Sequence, residues 1–127
     1  LVGSEMCIRD RAVEVIVIGG SLYRHSMVSI GAVTLEAISL LRADLCFIGL
    51  TGLHPQEGAT TGNYEEAAIK RAIIGRAAET VSLVTAEKLG AVSPHVICAT
   101  AAITTVIVPR DAATEALGAV GVDVLRA

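Results

Sequence analysis

The residues able to do chemistry in this chain are few, and they stand in three short polar stretches. Gly19 and Gly20 offer backbone amides at a tight turn with Arg24 close behind, an arrangement that can seat an anion. The same glycine pair is also a common way to close a strand, and it is not a G-x-G-x-x-G fingerprint. The second stretch, Gly49 to Gly62, runs into a segment with helical spacing, whose free N-terminal amides and positive dipole end favour a phosphate or carboxylate. Thr60 and Thr61 add hydroxyl donors there. Lys70 and Arg71 follow two turns later, where they either serve that anion or form the solvated face of an amphipathic helix. Lys88 follows a later apolar run, and its ammonium either reaches the same crevice or is simply solvated.

Other chemistries find less support. His25, His54 and His95 lie in separate segments without the i, i+4 spacing of a helical metal pair, so no metal is expected. No G-x-S-x-G elbow occurs, and Cys46 and Cys98 sit within apolar runs as small hydrophobes, so no catalytic nucleophile is expected. Cys7, Cys46 and Cys98 form no C-x-x-C pair, which argues against a disulfide scaffold and for a reducing, cytoplasmic setting.

The elements that must position these residues follow from composition and periodicity. A chain of 127 residues, 53% hydrophobic but only 2% aromatic, suits one domain with a core of Ala, Val, Ile and Leu. With 10 basic against 13 acidic residues and a formal net charge of -3, no basic footprint for nucleic acid exists in this chain. The stretch from Leu89 to Pro109 lacks Asp, Glu, Lys and Arg, yet Ser93-Pro94-His95 and the threonines at 100, 104 and 105 divide it into two buried strands, not a membrane span.

Leu1 to Arg11 has no periodicity, resembles a translated sequencing-adaptor remnant, and is set outside the fold as an extraneous leader; the body is 12–127. Val13 to Ile18 predicts a buried strand, and a loop at 21–29 precedes a helix over 31–42 with Val33, Ala37, Leu40 and Leu41 as its buried stripe. Leu45 to Ile48 predicts a second strand, followed by a long irregular loop from Leu50 to Gly62. Asn63 is an N-cap with Glu66 three residues on, as in a capping box, for a helix from Tyr64 to about Glu79. Strands are expected at 81–84, 96–98, 105–108 and 122–125, with a helix over 112–119 capped by Asp111. The result is α/β: an open, mostly parallel Rossmann-like sheet with flanking helices, incomplete at its N-terminal side. Ligands of such sheets sit outside the carboxyl ends of the strands.

Taken in order, VIVIGGSLYR at 15 to 24, Gly31, ADLCFIGLTG at 43 to 52, Gly58 with Thr60 and Thr61, EAAIKRAI at 66 to 73, and Lys88 resemble the effector-sensing domain of the DeoR family of bacterial transcriptional repressors. The resemblance covers nearly everything after the leader. It implies a fold like that of ribose-5-phosphate isomerases. It further implies a phosphorylated sugar or related metabolite as effector, and a non-enzymatic, cytoplasmic protein without cofactor, metal or membrane that is a homo-oligomer when full length. DNA would be gripped only by an N-terminal winged helix-turn-helix, expected to be missing from this fragment. By matching position, Gly49 and Gly52 would allow close approach of the effector, Thr60 and Thr61 would donate hydrogen bonds, and Gly19 and Gly20 would belong to the effector site through their backbone amides. Arg24, Lys70 and Lys88 would supply positive charge, while Glu66 would cap its helix or meet a sugar hydroxyl. One departure matters: Thr85 stands where the family has an aspartate opening a D-x-x-K loop. The alternative is a sugar-phosphate isomerase-like enzyme, but Glu57, Glu65, Glu66 and Glu87, the carboxylates near the crevice, lack the apolar setting that a general base needs.

Overall fold

The computed structural model describes residues 12–127, so the expected leader, Leu1 to Arg11, lies outside the described residues. The backbone of the domain is a four-stranded parallel sheet built from β3 (Ala43–Phe47), β6 (Ala77–Leu83), β8 (Thr105–Val108) and β9 (Asp123–Arg126), in that spatial order. A second, antiparallel sheet contains β4 (Gly52–His54), β5 (Gly58–Thr61) and β7 (His95–Cys98). A small hairpin, β1 (Ser21–Tyr23) with β2 (Val28–Ile30), precedes helix α1 (Ala32–Ser39). Helix α2 (Tyr64–Ile74) connects β5 to β6, and a short helix α3 (Glu115–Gly118) connects β8 to β9. The open parallel sheet with flanking helices agrees with the expected class.

The main core lies between the two sheets. Leu53, Ile97, Ile103, Val106 and Val108 are its largest fully buried apolar side chains, each stabilising the fold by about 1.5–3 kcal/mol. A smaller cluster of Ile30, Ile38 and Ile69, with Ile18 and Tyr23 against it, joins β2, α1 and α2. The opposite face of the parallel sheet carries Leu45, Phe47, Leu83 and Leu125, all exposed, with Phe47 at 66%.

Several local expectations are overturned. Val13 to Ile18 forms no strand: the backbone from 12 to 19 is irregular, and Val13, Val15, Ile16 and Val17 are exposed. An apolar run becomes a strand only against a neighbouring edge, and among the described residues no strand pairs with it. The expected loop at 21–29 holds the β1–β2 hairpin instead. The buried stripe of α1 is Thr34 and Ile38, one position out of phase with the predicted one, because the Thr34 hydroxyl bonds to the carbonyls of Ile30 (3.1 Å) and Gly19 (2.9 Å) and fixes the helix rotation. The stretch 50–62 is not irregular, since it contains β4 and the wholly buried β5. Its turn closes at Gly58, whose φ of 86° and approach to the Cys98 carbonyl exclude a side chain. Helix α2 ends at Ile74, and β6 begins at Ala77 in place of Val81. The last helix is a single turn after Thr114, where Arg126 donates to the carbonyls of Arg110 and Ala112 and to the Thr114 hydroxyl, holding the loop in place of the expected Asp111 cap.

Candidate functional site

Three connections leave the carboxyl ends of the parallel strands: residues 48–51 after β3, 84–94 after β6 and 109–114 after β8. The first leads into the β4–β5 hairpin and thence to the amino end of α2. Asn63 caps that helix as expected, its Oδ1 accepting from the Glu66 amide at 2.9 Å. The Glu66 carboxylate does not complete a capping box. It turns along the helix to Lys70, at 2.5 Å, and both side chains are about nine-tenths buried. Lys70 is therefore not part of a solvated face. A buried pair of this kind gives little net stability, because desolvation offsets most of the Coulomb gain.

The two threonines differ. Thr60 is committed: its hydroxyl donates to the Gly52 carbonyl (3.3 Å) and accepts from the Ser93 amide (2.9 Å). The Thr61 hydroxyl, 1% exposed, is the one buried side-chain polar atom among the described residues without a hydrogen-bond partner. Such a group costs about 1–3 kcal/mol unless something bonds to it. It immediately precedes the amino end of α2.

The glycines also separate by role. A Cβ on Gly52 would lie 2.3 Å from the Ala91 carbonyl oxygen, so this glycine is explained by packing of the hairpin on the 91–93 segment. Gly49 is exposed and has open space where a Cβ would be. Gly20 is needed beside α1, since a Cβ there would meet the Thr34 hydroxyl and the Ile30 carbonyl, and the Gly19 carbonyl accepts from Thr34. Arg24 is exposed in the turn between β1 and β2, with no ion pair among the described residues.

Lys88 is half-buried in a 3-10 turn (Ala86–Lys88) after β6. That turn joins β4 directly, through a Leu53–Leu89 bridge and the Gly90 amide donating to the Leu53 carbonyl at 2.8 Å. Thr85 hydrogen-bonds to Glu87, and this bond, after the backbone amide of Glu87 itself, holds the Glu87 carboxyl below its usual range. Beside the turn lies a mainly aliphatic cleft of about 190 Å³ lined by Leu53, Pro55, Leu89, Gly90, Thr114 and Leu117. Gly52, Thr60, Thr61, Glu66, Lys70 and Lys88 are thus connected through one hairpin and the elements bonded to it. Arg24 stands apart from them.

Sequence reasoning missed Thr51 and Ser93, whose hydroxyls meet at 2.7 Å on the exposed side of Thr60. No spacing signals a contact spanning 42 residues. It also left open Arg71, whose guanidinium donates to the Val96 and Ile97 carbonyls and ties α2 to β7. Burial pushes the Cys98 thiol up, away from the reactive thiolate. Among the described residues no cluster of three His, Cys, Asp or Glu side chains could hold a metal ion, and no helix is long and apolar enough to cross a membrane.

Residues 4–110 match the family described as the DeoR C terminal sensor domain. The chain belongs to that family. It is 33% identical over 93 residues to the HTH-type transcriptional regulator GolR of Listeria innocua, a match covering 73% of this chain and 34% of the relative. It is 32% identical over 77 residues to the HTH-type transcriptional regulator GlpR of Haloferax volcanii, covering 61% and 30%. The chain spans about a third of the length of these curated relatives.

Proposed function

We propose that this chain, residues 12–127, is the effector-binding part of a DeoR-type transcriptional repressor and that its effector is a phosphorylated sugar or a closely related metabolite. The observation that carries the reading is the Thr61 hydroxyl, buried without a partner just before a helix whose buried Glu66 and Lys70 already neutralise each other. A buried hydroxyl left without a partner is accounted for by a hydroxylated ligand that bonds to it. In this reading Thr61 and Glu66 meet sugar hydroxyls, Lys70 holds the Glu66 carboxylate in place, and Lys88 faces the phosphate. Gly49 leaves room for the ligand, Gly52 and Thr60 hold the hairpin behind it, and Gly19, Gly20 and Arg24 approach from the β1–β2 side. The chain binds and does not catalyse: Glu66 is engaged by Lys70, and Glu57, Glu65 and Glu87 are exposed. DNA contact belongs to a helix-turn-helix elsewhere in a full-length, homo-oligomeric cytoplasmic protein, and the effector acts by favouring one of two sensor arrangements.

The test uses the full-length regulator with a panel of phosphorylated sugars and their unphosphorylated parents, read by melting temperature and operator affinity. At least one phosphorylated sugar should raise the melting temperature and alter DNA affinity, its parent should not, and Lys88→Met should weaken binding at least about tenfold, the 1.4 kcal/mol of one lost charged contact. If no phosphorylated sugar changes either quantity, the reading fails.

A further inference from the structure

Resting on the effector reading above, we infer that the Thr51–Ser93 hydroxyl pair takes a hydroxyl of the effector and turns away its phosphate, because the pair presents hydrogen-bond acceptors and no free donor. Thr51 stands in the connection that follows β3, and Ser93 in the connection that follows β6. β3 and β6 are neighbours in the parallel sheet, so two adjacent strands deliver the pair beyond their carboxyl ends, the side on which ligands of such sheets bind. Thr51 is exposed and Ser93 half-buried, which leaves the pair within reach of a small molecule.

The polarity of the pair follows from its protons. A hydroxyl has one proton to give and two lone pairs to receive. Thr51 gives its proton to the Thr60 carbonyl at 3.2 Å. The 2.7 Å contact between the two side chains is then made by the Ser93 proton, with Thr51 accepting. The Thr60 hydroxyl is spent as well, donating to the Gly52 carbonyl and accepting from the Ser93 amide. All three hydroxyl protons are thus held inside the protein, while the lone pairs of the Ser93 Oγ receive no donor among the described residues. A phosphate or carboxylate oxygen would bring only more lone pairs to this point, whereas the O–H of a sugar completes the array. The acceptor is also set in place beforehand. The amide of Ser93 is tied to Thr60, and Gly52 carries no Cβ to push the 91–93 segment away, so little ordering is left for the ligand to impose. Lys88 lies earlier in the same connection, which therefore holds both the cation proposed for the phosphate and the acceptor for a hydroxyl.

The test is a titration of the full-length regulator and of its Ser93→Ala variant with each phosphorylated sugar that binds, beginning with glucose 6-phosphate and ribose 5-phosphate. Each sugar is compared with analogues in which one hydroxyl at a time is replaced by hydrogen or by fluorine, which can accept a hydrogen bond but cannot donate one. At one carbon the parent protein should prefer hydroxyl to both hydrogen and fluorine by about fivefold, the size of one hydrogen bond. Ser93→Ala should lose that preference at that carbon alone and keep the preferences at the others. A pair that only braces the hairpin would weaken every analogue alike in the variant, and that result would overturn the inference. So would fluorine binding as well as hydroxyl at every carbon, or a full set of preferences that survives Ser93→Ala. If no phosphorylated sugar binds the parent protein, the effector reading itself falls and takes this inference with it, a result distinct from binding without the expected preference.

Discussion

At Gly52, as at Gly58, a single atom decides the outcome. Gly52→Ala puts a methyl 2.3 Å from the Ala91 carbonyl oxygen, so about 2–3 kcal/mol of stability should be lost in urea denaturation. Gly62→Ala, with open space at that point, should stay within about 0.5 kcal/mol of the parent. At the buried pair, Lys70→Met leaves the Glu66 carboxylate uncompensated and should cost about 3–5 kcal/mol, whereas the double change Glu66→Leu with Lys70→Met should recover most of it. An additive double mutant would show that the two charges do not interact. Glu87 offers a pH test. Its carboxyl is held low in the folded chain, so its contribution to stability is present above the ordinary carboxylate pKa and lost as pH falls through the folded value. Thr85→Val removes one of the bonds responsible, and a carbon-detected NMR titration should then find the Glu87 pKa moved up toward its ordinary value.

At the scale of elements, some of the fold is legible in the sequence itself. Helix α2 carries its own start signal in Asn63, and its cap forms as read; Asn63→Ala should lower stability by about 1 kcal/mol, measurable as a shifted denaturation midpoint at unchanged slope. β3 and β8 were legible too, as short apolar runs next to a glycine or proline. The β4–β5 hairpin was not, because Gly, Thr and Pro spell a loop locally, and the register that buries β5 comes from β7, more than 30 residues further on. For α1 the period was legible and the phase was not, since a threonine hydroxyl outbid three aliphatic side chains for the buried side. Of the candidate site, the residue types were readable but their division of labour was not. Nothing in the spelling separates Thr60, which braces the hairpin, from Thr61, which is left free.

At the scale of the molecule, two sheets share one core while the far face of the parallel sheet stays open at Leu45, Phe47, Leu83 and Leu125. Parallel sheets are ordinarily covered on both faces, so residues 12–127 expressed alone should bind a hydrophobic dye and self-associate, and Phe47→Lys with Leu83→Lys should reduce both without a comparable loss of folding. Light scattering against concentration checks it; equal association of the variant would place the contact elsewhere. The β4–β5 hairpin is knit to the rest of the domain by partners distant along the chain: Ser93 reaches Thr60 across 33 residues, Thr51 reaches Ser93 across 42, and Thr100 reaches His54 across 46. Each contact must wait for the intervening chain to close a loop, an entropic toll that slows folding more than it alters stability. This part of the domain is thus assembled late, after the local β1–β2 hairpin and the helices, so under the proposed function its rate of formation sets how soon a newly made chain is ready to respond.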